Sequence, residues 1–218
     1  MLAGHQDSVY GLTLFSDSPI IASGSYDKTI RLWDIETFSL KKCVNLDTSI
    51  YEIRAYDIKE IGPSLVAGDS QGSLHFFFVV EGISLKKRST VKGHEGCILR
   101  LLYIKKDKLI ASSANKDKYI KLWNSLTMTM THQLAVHDER GVSGLFFSEK
   151  LEFLFTAGKD NVIKIIDIRD LEVVSEFKDS FIQFGGIAWV QEKNALLSYG
   201  GKKMGASVQM TINIRFFK

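Results

Sequence analysis

The chain has 218 residues, a formal net charge of +3, 45% apolar residues and 24% charged residues. This is ordinary globular composition, long enough to bury a real core, and the charge is too mild to indicate nucleic acid by itself. No apolar run nears the roughly 18 residues that span a bilayer, the longest candidate being residues 76–80.

The first residues lack a basic stretch followed by a long apolar one, so no secretory signal is expected. Cys43 and Cys97 are too few for a disulfide scaffold, and no Asn-x-Ser/Thr sequon occurs. An intracellular protein is expected, cytoplasmic rather than nuclear, and not secreted.

Strand-like runs begin at once. Residues 8–15, 20–23, 29–34 and 39–44 carry the apolar and β-branched content of strands. Ser16-Asp17-Ser18-Pro19 and Gly24-Ser25-Tyr26-Asp27 punctuate them as turns. No segment sustains a helical period, so an all-β meander is expected throughout.

The pattern then repeats. IASGSYDKTIRLWD (21–34) returns as IASSANKDKYIKLWN (110–124) and again as LFTAGKDNVIKIID (154–167). Between the first two lies LVAGDSQGSLHFF (65–77), with Gln71 where the Asp is expected. A last copy is carried by 196–202 and 207–217. The phase marker falls at 27, 71, 117, 160 and 202, at intervals of 44, 46, 43 and 42 residues. Upstream stand Gly4-His5, Gly93-His94 and Val136-His137, 28 or 29 residues before Trp33, Trp123 and Ile166.

A period near 43 that opens on Gly-His and closes on Trp-Asp resembles the WD40 β-propeller repeat, with four strands per blade. The resemblance covers essentially the whole chain. It implies one propeller domain over 1–218, with units at about 1–44, 45–90, 91–135, 136–177 and 178–218. The last unit ends after its third strand. Four blades and three strands fall short of the family's usual seven blades. A fragment of a longer chain is the favoured explanation, with completion by another subunit and an unusual five-bladed ring as alternatives.

The recurring His, Ser/Thr, Asp and Trp are the residues a hydrolytic triad would need. The resemblance implies a structural role instead: a hydrogen-bonded chain within each blade. It would comprise His5, Ser23, Asp27 and Trp33, then His94, Ser113, Asp117 and Trp123. The fourth unit would supply His137, Thr156 and Asp160, with Ile166 in place of Trp. Groups that recur in every unit serve the unit, and buried polar groups demand partners.

Other motifs lose force in context. Gly68-Asp69-Ser70-Gln71-Gly72 matches a nucleophile elbow but sits at a strand-to-strand turn. No histidine has a Cys or His partner at metal-ligand spacing. Lys86-Lys87-Arg88 and the lysines at 105, 106 and 108 read as solvated strand edges. No catalytic residue, metal or cofactor is expected.

Binding is expected where the turns bearing the Asp meet the starts of the first strands. By position this face comprises Tyr10, Tyr26, Tyr51, Leu99, Lys116, Ser143 and Lys159. It would be aromatic on one side and basic on the other, suiting acidic or phosphorylated peptides. The expected function is a non-enzymatic scaffold in a multiprotein complex. The alternatives are a phosphoinositide-binding propeller, weakened by the absence of an Arg-Arg pair, and an isolated fragment without independent activity.

Overall fold

A computed structural model describes residues 3–16, 18–80, 84–178, 183–193, 195–204 and 207–217. They form nineteen strands and one short 3-10 turn, Gln191–Lys193. Five sheets follow one another, each a meander in chain order.

Sheet 1 contains β1 (Val9–Leu14), β2 (Ile20–Ser25), β3 (Thr29–Asp34) and β4 (Ser39–Asn45). Sheet 2 contains β5 (Ile50–Ile58), β6 (Gly62–Asp69), β7 (Ser73–Val80) and β8 (Ser84–Lys92). Sheet 3 contains β9 (Ile98–Ile104), β10 (Leu109–Ala114), β11 (Tyr119–Asn124) and β12 (Met130–Ala135). Sheet 4 contains β13 (Val142–Ser148), β14 (Phe153–Gly158), β15 (Val162–Asp167) and β16 (Glu172–Lys178). Sheet 5 contains β17 (Gln183–Val190), β18 (Ala195–Met204) and β19 (Ser207–Phe216), three strands among the described residues.

The chain divides into two compact units. The first comprises Met1–Ser112 with Lys121–His132, and the second Ser113–Ile120 with Gln133–Lys218.

Local sequence explains the turns. The residue after the phase marker adopts a left-handed backbone at Lys28, Gly72 and Asn161. A second device closes the hairpin between the third and fourth strands. Asp34 Oδ1 accepts the N–H groups of Glu36 and Thr37, and Asn124 Oδ1 those of Leu126 and Thr127. Asp167 Oδ1 accepts the N–H of Arg169. The acidic or amide residue ending these three repeats is therefore a turn cap, as its short oxygen-bearing side chain allows.

Each sheet alone would leave one face open to water, so its apolar residues need cover. In the first unit, Ile30 and Leu32 of sheet 1 are buried with Ile50, Ile53, Leu65 and Phe77 of sheet 2. Gly24 permits the close approach, since a Cβ there would meet the Ile50 and Ile53 side chains. In the second unit, Phe155, Ile163 and Ile165 of sheet 4 pack with Leu196, Ile187 and Trp189 of sheet 5. The Trp189 ring stacks on Phe146 at 5.7 Å and 11°.

A bulge recurs at the start of the first strand. The register slips between Val9 and Gly11, Ile50 and Glu52, Val142 and Gly144, and Phe184 and Gly186. The extra residue is Tyr10, Tyr51, Ser143 or Gly185, and a bulge re-aims that residue relative to the regular pleat.

Gly72 has φ +86°, and a Cβ there would run into the His94 and Gly96 carbonyl oxygens. Gly62 has φ +78° with open space around it. Gly72→Ala is therefore expected to lose roughly 3 kcal/mol or more, from overpacking against backbone added to left-handed strain. Gly62→Ala is expected to lose only about 1 kcal/mol, from the backbone conformation alone. Urea unfolding at unchanged m-value measures both.

Candidate functional site

The repeated polar residues gather at the turn side of sheets 1 to 4. In sheet 1 the Trp33 indole N–H donates to Ser23 Oγ at 2.7 Å. The Ser23 hydroxyl meets His5 Nε2 at 2.7 Å, and His5 Nδ1 meets Asp27 Oδ2 at 2.8 Å. One neutral tautomer satisfies all three contacts: indole to hydroxyl, hydroxyl to Nε2, Nδ1–H to carboxylate. Asp27 also accepts the N–H groups of Gln6 and Thr29 and the Thr29 hydroxyl. Burial alone would raise the Asp27 carboxyl; the bonds from Thr29, Gln6 and His5 outweigh it and hold the group well below the usual range.

In sheet 4, His137 Nε2 lies 2.9 Å from Thr156 Oγ1, and Nδ1 lies 3.0 Å from Asp160 Oδ2. Burial pushes the His137 imidazole below its ordinary value, and the Asp160 charge only partly offsets this. Ile166, in the Trp position, is buried apolar packing and ends the chain of bonds one member short.

The third unit corrects one expectation. The serine bonded to His94 Nε2 and to the Trp123 indole is Ser112, both at 2.7 Å, and not Ser113. Counting back from Asp117 selects Ser113, because the turn holds one residue more than in the first unit. That residue is Lys116, with φ 58°. Pairing across the strands gives the right residue: Trp33 opposes Ile21 and Trp123 opposes Ile110, each two positions before its serine. Ser113 instead donates to the Val142 carbonyl at 3.1 Å. Asp117 Oδ1 accepts the Tyr119 N–H at 2.9 Å.

The second unit holds a network the repeat did not disclose. Asp69, not Gln71, is its carboxylate. Its Oδ1 accepts the N–H groups of Gln71 and Ser73, and its Oδ2 accepts the Thr48 hydroxyl and His75 Nε2. His75 Nδ1 lies 3.0 Å from the Thr90 hydroxyl. By register, Asp69 stands where sheet 1 has Ser25, and His75 where it has Arg31. Carboxylate and imidazole have thus moved to new positions while the turn stays saturated. Burial raises the Asp69 carboxyl, and bonds from His75, Ser73, Thr48 and Gln71 overcome it, leaving the group at about 2. The signal was Asp69 and His75 six residues apart, on adjacent strands of one hairpin.

The proposed binding residues divide between the units. In the first, Tyr10 and Tyr51 stack at 4.7 Å and 12°. Tyr26 stands edge-on to both, at 6.4 and 6.2 Å. Tyr10 and Tyr51 are the bulge residues of β1 and β5, and Tyr26 caps the β2–β3 turn through its N–H bond to the Ser8 carbonyl. Tyr10 and Tyr26 are exposed and Tyr51 half-buried. Leu99 is also half-buried. In the second unit Lys116 and Lys159 are exposed. Ser143 is a correction: it occupies the bulge position, but it is buried and its hydroxyl donates to the Ala157 carbonyl at 3.3 Å. A short polar side chain there folds back onto its own sheet where tyrosine reaches outward.

One further charged group lies beside the tyrosines in sequence. Burial pushes the Glu52 carboxyl up to about 7, against the opposing pull of Arg100 and Arg54. Arg100 stands 3.8 Å away, too far for a strong hydrogen bond. Among the described residues, no group of three or more His, Cys, Asp or Glu side chains could hold a metal ion. Among the described residues, no helix is long and apolar enough to cross a membrane.

Two outcomes are expected. Ser112→Ala removes a hydroxyl shared by two buried partners, and costs about 2–3 kcal/mol in urea unfolding. Ser113→Ala removes one bond and costs about 1 kcal/mol. Equal losses would contradict the assignment of Ser112. For Glu52 the raised pKa means that the folded state holds a proton more tightly than the unfolded chain. Its contribution is fully present below about pH 4.5 and is lost as pH rises to about 7. Glu52→Gln is expected to remove on the order of 3 kcal/mol of the stability change between pH 4 and 8. Parallel pH–stability curves for the two proteins would refute it.

Comparison with known proteins accords with this geometry. The model described as WD domain, G-beta repeat matches residues 1–34, 85–124 and 128–167, just over half of the chain. Eukaryotic translation initiation factor 3 subunit I of Sclerotinia sclerotiorum is 24% identical over 184 residues, covering 80% of this chain and 54% of that protein. The Neurospora crassa protein of the same name is 26% identical, with 80% and 52% covered. Pre-mRNA-processing factor 19 of Oryza sativa subsp. japonica is 25% identical, with 78% and 32% covered. The chain spans about half the length of the initiation-factor relatives it matches. With three matched repeats, five successive antiparallel sheets and the saturated His–Ser/Thr–Asp turns, the chain belongs to the WD40 repeat family.

Proposed function

We propose that the chain is a non-enzymatic interaction scaffold within an intracellular multiprotein complex, binding protein segments at the turn side of its sheets. The observation that carries this is the meeting of Tyr10, Tyr26 and Tyr51. Three tyrosines from three separate elements share ring contacts, and two of them are exposed. Such rings supply large, stiff, amphipathic contact area of the kind that dominates protein interfaces. The His, Ser/Thr and Asp side chains are bonded to one another and to turn N–H groups, which supports a supporting role for them. Relatives named as a translation initiation factor subunit and a pre-mRNA-processing factor support a role in assemblies.

The finer reading concerns charge. Lys116 and Lys159, exposed at turns of the second unit, favour an acidic or phosphorylated partner segment. They lie outside the aromatic cluster of the first unit and form a separate determinant.

The test is quantitative affinity purification of tagged chain from cells, with wild type beside Tyr10→Ala/Tyr26→Ala and Lys116→Glu/Lys159→Glu. The tyrosine pair is expected to reduce recovery of a reproducible partner set by about 30-fold or more, as loss of an aromatic anchor does. The charge reversal is expected to remove the salt-sensitive members of that set. Partner sets unchanged by both variants would overturn the reading.

A further inference from the structure

The faces of sheets 1 and 2 that enclose the core of the first unit are built of register rows, each running from the first strand of a sheet to its fourth. In sheet 1 one row is Thr13, Ala22, Leu32 and Lys42. In sheet 2 its counterpart is Ala55, Leu65, Phe77 and Lys87. Residues paired across antiparallel strands share a face, so each row lies on one side of its sheet. The two rows meet at their inner ends, where the Ala55 N–H donates to Thr13 Oγ1 at 3.0 Å. Further out, Ala22, Leu32, Leu65 and Phe77 belong to one buried cluster. Both rows end on an exposed lysine, Lys42 on β4 and Lys87 on β8, and these two outer strands approach one another.

Two like charges thus stand on opposite walls of one groove, an arrangement that costs free energy while nothing lies between them. No carboxylate of either strand relieves it, because β4 and β8 contain no aspartate or glutamate. Lys41 reaches Asp34 at 3.1 Å, Arg88 lies over the Phe78 ring at 4.7 Å, and Lys92 donates to the Gln71 carbonyl. Lys42, Lys86 and Lys87 have no ion-pair partner among the described residues. Lysine often guards an edge strand against unwanted pairing. The other outer strands are not guarded in this way: β12 has no lysine, arginine, aspartate or glutamate, and β16 mixes Glu172 and Glu176 with Lys178. Apolar surface adjoins the lysine pair. Val44 and Val79 are half-buried against the same cluster, on the faces that carry Lys42 and Lys87.

We propose that the groove between β4 and β8 binds an extended acidic segment of a partner protein. Carboxylates of the segment lie between Lys42 and Lys87, and its aliphatic side chains rest on Val44 and Val79. Charge complementarity carries the argument. An anion placed between the two lysines replaces one repulsion by two attractions. A nucleic-acid phosphate chain would answer the lysines but brings no aliphatic group to the valines, so a peptide fits both parts of the groove. The tyrosine cluster lies on β1, β5 and the β2–β3 turn, whereas this groove belongs to the outer strands. The two surfaces are separate, and the groove stands independently of the function proposed above.

The test is fluorescence anisotropy of a labelled Asp-Leu-Asp-Leu-Asp-Leu peptide titrated with the full chain. Labelled hexa-aspartate and a labelled oligouridylate serve as the other two probes. The Asp-Leu peptide is expected to bind wild type, to bind more weakly as salt rises, and to bind more tightly than either other probe. Lys42→Glu/Lys87→Glu is expected to weaken that binding by about tenfold or more. Both positions are exposed, so this variant is expected to keep the wild-type melting curve. Tyr10→Ala/Tyr26→Ala is expected to bind the peptide as wild type does, which separates this result from that of the tyrosine cluster. Absence of binding, or binding untouched by the charge reversal, would overturn the proposal. Hexa-aspartate bound as tightly as the Asp-Leu peptide would show charge acting without the apolar surface, and would overturn it too. Tighter binding of the oligouridylate, lost in the same reversal, would assign the groove to nucleic acid instead.

Discussion

The contact on which the structure depends is the laying of one strand's aliphatic pair across the sheet before it. A four-stranded antiparallel sheet satisfies its own backbone but leaves its apolar face wet. Ile50 and Ile53, buried in one cluster with Ile30 and Leu32, remove that face from water, and Ile187 with Trp189 does the same against Phe155, Ile163 and Ile165. Burying each such side chain stabilises by about 1.5–3 kcal/mol. The constraint reaches back into the sequence. Residues of the second strand must be small where the next strand approaches, which is why Ala22, Gly24, Ala67 and Ala157 stand there.

The second principle is saturation of the turns. A tight turn between two buried strands exposes backbone N–H groups that no ladder satisfies, and an orphaned buried donor is costly. Asp27, Asp69, Asp117 and Asp160 take up these donors, and Asp27, Asp69 and Asp160 each also meet an imidazole nitrogen. What resembles catalytic equipment is therefore a solution to a backbone problem. The second sheet makes the point best. It dispenses with the usual carboxylate position, recruits Asp69 and His75 from different ones, and reaches the same saturated end state.

A stiff turn side has a consequence for recognition. Residues flanking it are presented on a fixed backbone, and the bulge at the head of the first strand turns Tyr10 and Tyr51 toward Tyr26. The same bulge with a serine, at Ser143, gives a buried side chain bonded to its own sheet. Backbone geometry is the shared scaffold, and side-chain length decides whether a unit offers surface.

The period of about 43 residues determined the all-β architecture, the strand order and the positions of the main turns. Those features arise from local patterns of apolar residues and turn formers, which a linear sequence displays directly. His5 with Asp27, and His137 with Asp160, were likewise legible, because the pair recurs at a spacing of 22 or 23 residues in units of equal turn length. Tertiary structure alone decided the rest. Ser112 rather than Ser113 bonds His94, because strand pairing, not distance along the chain, sets register once Lys116 lengthens the turn. Asp69 and His75 meet because adjacent strands bring them together, although neither occupies a repeat position. The three tyrosines form one cluster because bulges re-aim two of them, and a bulge is a property of the pairing between strands. Whether an aliphatic residue on a first or third strand is core or surface depends on what lies across from it. Ile53 and Leu12 occupy the same place in their repeats, and only the neighbouring sheet distinguishes them.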